Sequence, residues 1–276
     1  LELTDFIGQD INYQVSRQIW QDMQYDPRYT PGHLQRSLVD AGLLGKKNGR
    51  SYFTAEETAP PVTAAIDADV ETLRVYGEHP FFTLLQQRAA RQWPQLRVEQ
   101  RPALPSLGPA VQINGAFTVS ITDGRTASQL AEQTTADAFV VDIALNYADT
   151  AYLVAAHNRY ASAANKALFL RLLHTAIPQV EFIKDSPALI VARVLSSLIN
   201  ESVIMVESGV CSREDIDVAA VAGVNYAGGI FDWLGKLGEK NVRTTLSNLA
   251  QLLHAARYAP HYTLLHAAQP ALTTTP

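Results

Sequence analysis

Cysteine is nearly absent: the 276 residues include one, Cys211. A lone thiol forms no intrachain disulfide and excludes a zinc site built from two or more cysteines of one chain. It also points to a cytoplasmic protein. Charge is scarce, at 18%, with 22 Lys+Arg against 27 Asp+Glu and a net charge of -5. Phosphate-rich partners need concentrated Lys and Arg, so nucleic acid is not the expected partner. Neither a G-x-S-x-G elbow, a P-loop nor H-E-x-x-H occurs. The seven histidines are His33, His79, His157, His174, His254, His261 and His266. Only His254/His261 and His261/His266 come close in sequence, with little carboxylate nearby, so no metal is expected. His79, before Pro80, reads as a loop residue. The apolar run from Asp185 to Ser208 approaches bilayer length, but Arg193, Asn200, Glu201 and Glu207 interrupt it. Charges at a bilayer centre are costly, so the run reads as a buried helix and no membrane is expected as partner.

What is present is a core-forming chain, 47% hydrophobic. Its length suggests about two domains. The opening Leu1-Glu2-Leu3-Thr4-Asp5-Phe6-Ile7-Gly8 has neither the charged start nor the cleavage site of a signal peptide. It reads as a helix already under way, the expectation being a fragment of a longer protein. Residues 1–58 read as helical, with Leu3, Ile7, Ile11, Val15 and Ile19 recurring every four residues on one face. Asp26-Pro27-Arg28-Tyr29 breaks the pattern, and Thr30-Pro31 predicts a restart with Thr as cap. Residues 59–70 are a proline-stiffened linker.

From 71 to 184 the period changes. The spacing predicts strands at Leu73–Tyr76, Leu96–Val98, Phe117–Ile121, Phe139–Ile143, Tyr152–Ala156 and Val180–Ile183. Helices are predicted at about 80–93, 126–133 and 162–176. Such alternation predicts a small α/β layer with a mostly parallel sheet. From 185 to 276 the helical period returns, with a long helix capped by Ser186-Pro187, a capping-box pattern at Ser212–Asp215, and a last helix from Phe231 to Ala256.

The sequence repeats itself weakly. Leu1–Gly8 lines up with Phe231–Gly238, and Arg28-Tyr29-Thr30-Pro31 with Arg257-Tyr258-Ala259-Pro260, one residue out of step. Two helical units of one ancestry thus flank the α/β region, the first truncated.

Residues 1–53, with Pro27-Arg28-Tyr29 and Leu44-Gly45-Lys46-Lys47, resemble the later helices of a 3-hydroxyacyl-CoA dehydrogenase C-terminal domain. The block Asp185–His266 resembles the same domain through Pro187, Arg193, Asn200-Glu201, Asp215-Ile216-Asp217 and Asn225-Tyr226. The tandem arrangement resembles the long bacterial 3-hydroxybutyryl-CoA or 3-hydroxyadipyl-CoA dehydrogenases of phenylacetate degradation. The resemblance implies a mainly α protein with an α/β insert: two 6-phosphogluconate-dehydrogenase-like C-terminal helical units flanking a degenerate, Rossmann-like domain. It also implies NAD-dependent oxidation of 3-hydroxyacyl-CoA to 3-ketoacyl-CoA in a full-length, homo-oligomeric enzyme. The family's His-Glu pair lies in a dinucleotide domain that this sequence does not contain. Its substrate-site Asn, just before an Arg, corresponds to Ala192 before Arg193, and its Phe to Leu189. The second unit is therefore expected to be structural, with no catalytic residue and no bound NAD in this chain. Leu1, Thr4 and Asp5, with Glu2 beside them, fall on the helix that the resemblance places along the acyl cleft. Lys46 and Lys47, in their functional reading, are expected near the CoA phosphates or the domain this sequence does not contain.

The residues themselves leave alternatives open. A dinucleotide site needs strand, G-x-G-x-x-G, helix, and the first strand here is followed by Gly77-Glu78-His79-Pro80, one glycine and a carboxylate. Asp142, at a strand end, reads as a turn or cap residue. Lys46, Lys47 and Arg50 also read as a solvated turn, Asp5 and Asp10 as helix-face charges, and Cys211 as an incidental thiol. The alternative function is a non-catalytic helical association module with an α/β spacer. Activity assay separates the two, and Leu3, Phe6 and Ile7 need a covering surface in either case.

Overall fold

A computed structural model describes residues 2–51, 69–134 and 136–266. Most of the expected linker, and the extended piece expected at Tyr52-Phe53, lie outside the described residues. The chain forms two compact units, Leu1–Val62 with Ala255–Arg257, and Thr63–His254 with Tyr258–Pro276.

In the first unit, α1 (Glu2–Ile7) and α2 (Gln9–Asp22) are parted by Gly8, whose φ of 111° suits glycine alone. A 3-10 turn at Pro27–Tyr29 follows, its first free N–H, on Arg28, held by the Asp26 carboxylate at 2.9 Å. The next helix, α3 (His33–Asp40), does not begin on Thr30-Pro31 as expected. Thr30 closes the 3-10 turn instead, and Arg257 donates to its carbonyl oxygen at 3.1 Å. Gly32 takes over as N-cap, with Gln35 reaching back to its N–H at 2.8 Å. A second 3-10 turn, Lys46–Asn48, lies over α1. The apolar stripe at every fourth residue exists but is not buried: Leu3 is 69% exposed, Ile7 47%, Ile11 49%, Val15 52% and Ile19 46%.

The second unit is built on a seven-stranded sheet. Its strands are β1 (Thr72–Tyr76), β2 (Arg97–Arg101), β3 (Ala110–Ile113), β4 (Phe117–Ile121), β5 (Asp137–Val141), β6 (Tyr152–His157) and β7 (Gln179–Phe182), in the order β2-β1-β3-β4-β5-β6-β7. The sheet is mixed, which corrects the expectation of a mostly parallel one. β1/β2, β4/β5 and β6/β7 are parallel, and β1/β3, β3/β4 and β5/β6 antiparallel. One reversal has a local cause: Asn114-Gly115, at φ 50° and 68°, form the tight hairpin turn that folds β3 back into β4. Both faces are covered. Leu73, Val111, Phe117, Phe139 and Leu153 pack against α4 (Pro80–Gln92) and α6 (Ala163–Leu173), with Phe139 stacked on Phe169 at 4.5 Å. The alternate residues Ala138, Val140 and Ala156 pack against α5 (Ala127–Thr134) and Leu189. Side chains of successive strand residues point to opposite faces, so a sheet buried on both sides reads as continuous apolar runs.

The helices after the sheet are α7 (Val191–Glu207), α8 (Arg213–Val218), α9 (Ile230–Leu237), α10 (Glu239–Leu253) and α11 (Tyr262–His266). The Ser212–Asp215 capping box forms as the sequence predicts. The expected Phe231–Ala256 helix is split by Gly238 at φ 82° into α9 and α10. Ile199 and Val203 of α7 join Trp233, Leu234, Val242 and Leu246 in one core. Buried Asn200 ties that core to the chain before α11, donating to the Ala259 carbonyl at 3.0 Å and accepting from the His261 N–H at 2.8 Å. No helix among the described residues is long and apolar enough to cross a membrane.

Candidate functional site

Four of the five residues assigned to the acyl-CoA side of the cleft meet in one place; Leu1 lies outside the described residues. Thr4 and Asp5 project from α1, and Lys46 and Lys47 from the 3-10 turn against it. Asp5 is 1% exposed and accepts a hydrogen bond from the Ser51 hydroxyl, so it holds the turn from beneath. Thr4 Oγ1 accepts from Gln9 Nε2 at 3.1 Å. Gly45, at φ 101°, lies so close to α1 that a Cβ there would stand 2.1 Å from the Asp5 carbonyl oxygen. Lys47 pairs with Asp10 in the first turn of α2, and that hydrogen bond holds the Asp10 carboxyl below the usual carboxylate range. Lys46 is exposed, its ammonium 6.0 Å from the centre of the Phe6 ring. The arrangement is a cationic ledge beside an apolar one, suited to a ligand with an anionic head and a greasy tail.

The junction of β1 and α4, where a dinucleotide would sit, opens on a cavity of about 650 Å³ bordered by Gly77, Glu78, His79 and Gln100. Its residues do not fit a pyrophosphate. Pro80 at the helix start has no N–H, and the N–H of Phe81 is taken by His79 Nδ1 at 3.3 Å. Those of Phe82 and Thr83 go to the His79 carbonyl at 3.0 and 3.1 Å. The first-turn N–H groups of α4 are thus already taken, and Glu78 stands exposed beside them. His79, expected to be a loop residue, is the N-cap of α4. The His-Pro pair at the head of an apolar helical run is the signal that could have shown it.

Burial beside Phe82 and Tyr147 holds the His79 imidazole at about 4, below its ordinary 6.5. The unfolded chain therefore binds an extra proton between these values, and stability falls as pH drops through that window. From pH 7 to pH 5 the loss is about 2 kcal/mol. Urea titrations at the two pH values should show it, and His79→Asn, which keeps a cap acceptor without a titrating ring, should remove most of the difference. An unchanged pH dependence in the variant would contradict the assignment.

Asp142 closes the remaining candidate. It lies just past β5, is 0% exposed, and accepts from the N–H groups of Ile190 and Val191 at 2.9 and 2.7 Å and of Ala192 at 3.0 Å. A fourth donor, the N–H of Ile143, is 2.9 Å away. It is thus the cap of α7, the role the sequence reading favoured over a ribose ligand. Ser186-Pro187, expected as that cap, is not; Ala188 and Leu189 turn through left-handed φ of 58° and 49° before the helix starts. Burial raises the Asp142 carboxyl above the usual carboxylate range, and the four donors oppose that shift without cancelling it. Ala192 is 1% exposed, packed on Ala188 and Leu249, and offers no polar group. Arg193 folds back to the Pro187 carbonyl at 3.2 Å. Cys211 is half-buried against the helical core. Nδ1 of His157, His174 and His261 meets backbone carbonyls or the Thr263 hydroxyl rather than a carboxylate. No group of three or more potential metal ligands occurs among the described residues.

Residues 1–55 and 189–270 match the family model of the 3-hydroxyacyl-CoA dehydrogenase C-terminal domain. Residues 119–187 match that of the 3-hydroxybutyryl-CoA dehydrogenase reduced Rossmann-fold domain. The 3-hydroxyadipyl-CoA dehydrogenase of Escherichia coli K12 is 28% identical over 262 residues, which are 94% of this chain and 48% of that one. The crystal structure of 3-hydroxybutyryl-CoA dehydrogenase from E. coli K12 superposes on 97% of this chain and 50% of that chain, with a TM-score of 0.75 and 25% identity. The chain spans about half the length of these relatives. With both helical segments and the sheet segment between them matching domains of one kind of enzyme, the chain belongs to the 3-hydroxyacyl-CoA dehydrogenase family.

Proposed function

We propose that this chain is the non-catalytic half of an NAD-dependent 3-hydroxyacyl-CoA dehydrogenase, which oxidises a 3-hydroxyacyl-CoA to the 3-ketoacyl-CoA in the cytoplasm, in catabolism of the phenylacetate type. The observation that carries the reading is the pair of C-terminal-domain matches at 1–55 and 189–270 around the reduced Rossmann-fold match. Two helical units of one ancestry then flank a degenerate Rossmann-like domain. The succession of helix, positive-φ glycine, longer helix and 3-10 turn in 2–29 and again in 230–258 supports that reading.

In the enzyme the first helical unit forms one wall of the cleft. Lys46 and Lys47 meet the CoA phosphates, Leu1 and Thr4 border the acyl chain, and Asp5 holds the turn in place. NAD supplies the hydride acceptor but belongs to the other half, since the first-turn N–H groups of α4 here are already taken and Glu78 stands beside them. The second unit is structural: a buried alanine stands at position 192, and the chain's own Asp142 fills the start of α7. Self-association of the enzyme uses this part, where Val194, Val218, Val221 and Val224 are 49–65% exposed.

The assay is NADH formation from 3-hydroxybutyryl-CoA. The chain alone should give none, and joining it to the other half of a 3-hydroxyacyl-CoA dehydrogenase should restore turnover. There, charge reversal at Lys46 and Lys47 should raise KM for the acyl-CoA by about tenfold with little change in kcat. Ready turnover by the chain alone, or an unmoved KM, would overturn the reading.

A further inference from the structure

Asn114 grips the entry of β1 with its whole carboxamide. Its Oδ1 accepts from the N–H groups of Glu71 and Thr72 at 2.8 and 3.0 Å, and its Nδ2 donates to the Asp69 carbonyl at 2.9 Å. Its own N–H reaches the Thr72 carbonyl at 2.9 Å. The grip seats residues 69–72, where buried Val70 and Leu73 enter the core beside the sheet. The next residue is Gly115, which has no Cβ to obstruct attack of its main-chain nitrogen on the Asn114 side chain. Attack is blocked while the grip holds. The turn Ile113–Ala116 closes with a 2.8 Å hydrogen bond, and its central residues have φ of 50° and 68°, the type I′ pattern. In that pattern ψ of the first central residue is about +30°, which sets Cβ of Asn114 nearly opposite the Gly115 nitrogen across the Cα–C bond. Cyclisation therefore needs the entry of β1 to let go.

We propose that Asn114-Gly115 is a latent self-modification site, a one-way latch on the β1–β2 side of the sheet. When residues 69–72 open, the Gly115 nitrogen gives up its proton to water and bonds to Cγ of Asn114. The Cγ–Nδ2 bond breaks and ammonia leaves, so a succinimide remains. Water then adds to either ring carbonyl and opens the ring to aspartate or isoaspartate. Neither product recloses the latch. Aspartate sets a carboxylate oxygen against the Asp69 carbonyl, where an N–H stood, and adds charge beside exposed Asp69 and Glu71. Arg74, near the turn, is already held by Glu99 and Gln112. Isoaspartate lengthens the main chain of the turn by one atom, which breaks the register of Ile113 with Phe117.

Tryptic mass mapping of the whole chain, aged in mildly alkaline buffer, reads the amide-to-acid change at 114, and chromatography separates isoaspartate from aspartate. A free peptide of residues 110–119 is the unlatched reference. The folded chain should convert at least about tenfold more slowly than the peptide, because the reaction waits on local opening. In urea the chain should match the peptide. Val70→Ala, which loosens the entry of β1, should speed conversion in the folded chain, while Val242→Ala, in the helical core, should not. Asn114→Asp should strip amide-exchange protection from β1 and β2 and leave that of β5 to β7 intact. The proposal is overturned if the folded chain converts as fast as the peptide, or if the unfolded chain does not convert. It is overturned equally if the two valine variants act alike, or if Asn114→Asp leaves β1 fully protected.

Discussion

Asp142→Ala is expected to lower the stability of the second unit by about 3–5 kcal/mol, a third or more of what an ordinary domain has. Four N–H groups converge on this carboxylate at 2.7–3.0 Å. It is fully buried, so water does not replace it. Leaving buried donors without an acceptor costs about 1–3 kcal/mol apiece at first, less once the segment relaxes. Relaxation is also favoured by strain, because Ala188 and Leu189 hold left-handed φ that non-glycine residues adopt at about 1 kcal/mol or more each. Asp142→Asn should be nearly as harmful, since its amide NH₂ would face donors where an oxygen stood. Urea unfolding measures the loss, and amide exchange should locate it at residues 188–192 and the sheet end they dock on. A change below about 1 kcal/mol would mean that the cap is incidental and that hydrophobic packing alone seats α7.

The same carboxylate shows where the sequence stopped being legible. Its identity as a cap could be read from its place at a strand end. The helix it caps could not, because the donors lie 48 to 50 positions further along and only the folded sheet brings them near. Ser186-Pro187 was the better local candidate, and a long-range contact overrode it. The strands were legible as apolar runs because both faces of the sheet are buried; β3 was missed, although Asn114-Gly115 marks its hairpin, and with it went the sheet's mixed direction. The stripe in α1 and α2 was legible as a period, but periodicity reports which residues share a face and not what covers it. Of the site, the lysine turn was visible as composition. The buried Asp5 beneath it depends on a contact with Ser51 across 46 positions.

That turn gives the second large effect. Gly45→Ala should cost the first unit at least about 3 kcal/mol, because two penalties coincide. Its φ of 101° with ψ of -159° belongs to a region that is open to glycine and worth about 1–3 kcal/mol of strain for other residues. The added Cβ would also stand 2.1 Å from the Asp5 carbonyl oxygen, a backbone atom of α1 that cannot rotate away. The turn must lift. With it go the hydrogen bond from Ser51 to Asp5 and the pairing of Lys47 with Asp10, so the Asp10 carboxyl should return toward its ordinary range. Gly49→Ala, four residues on, is the control: its φ is 69°, yet a Cβ there meets nothing within 4 Å. Left-handed strain alone applies, about 1–2 kcal/mol. Amide exchange over α1 and α2 and an NMR titration of Asp10 distinguish the two variants. Equal, small effects from both would show that the turn rests loosely on α1, and the cationic ledge would then lack the fixed placement that the proposed acyl-CoA contact needs.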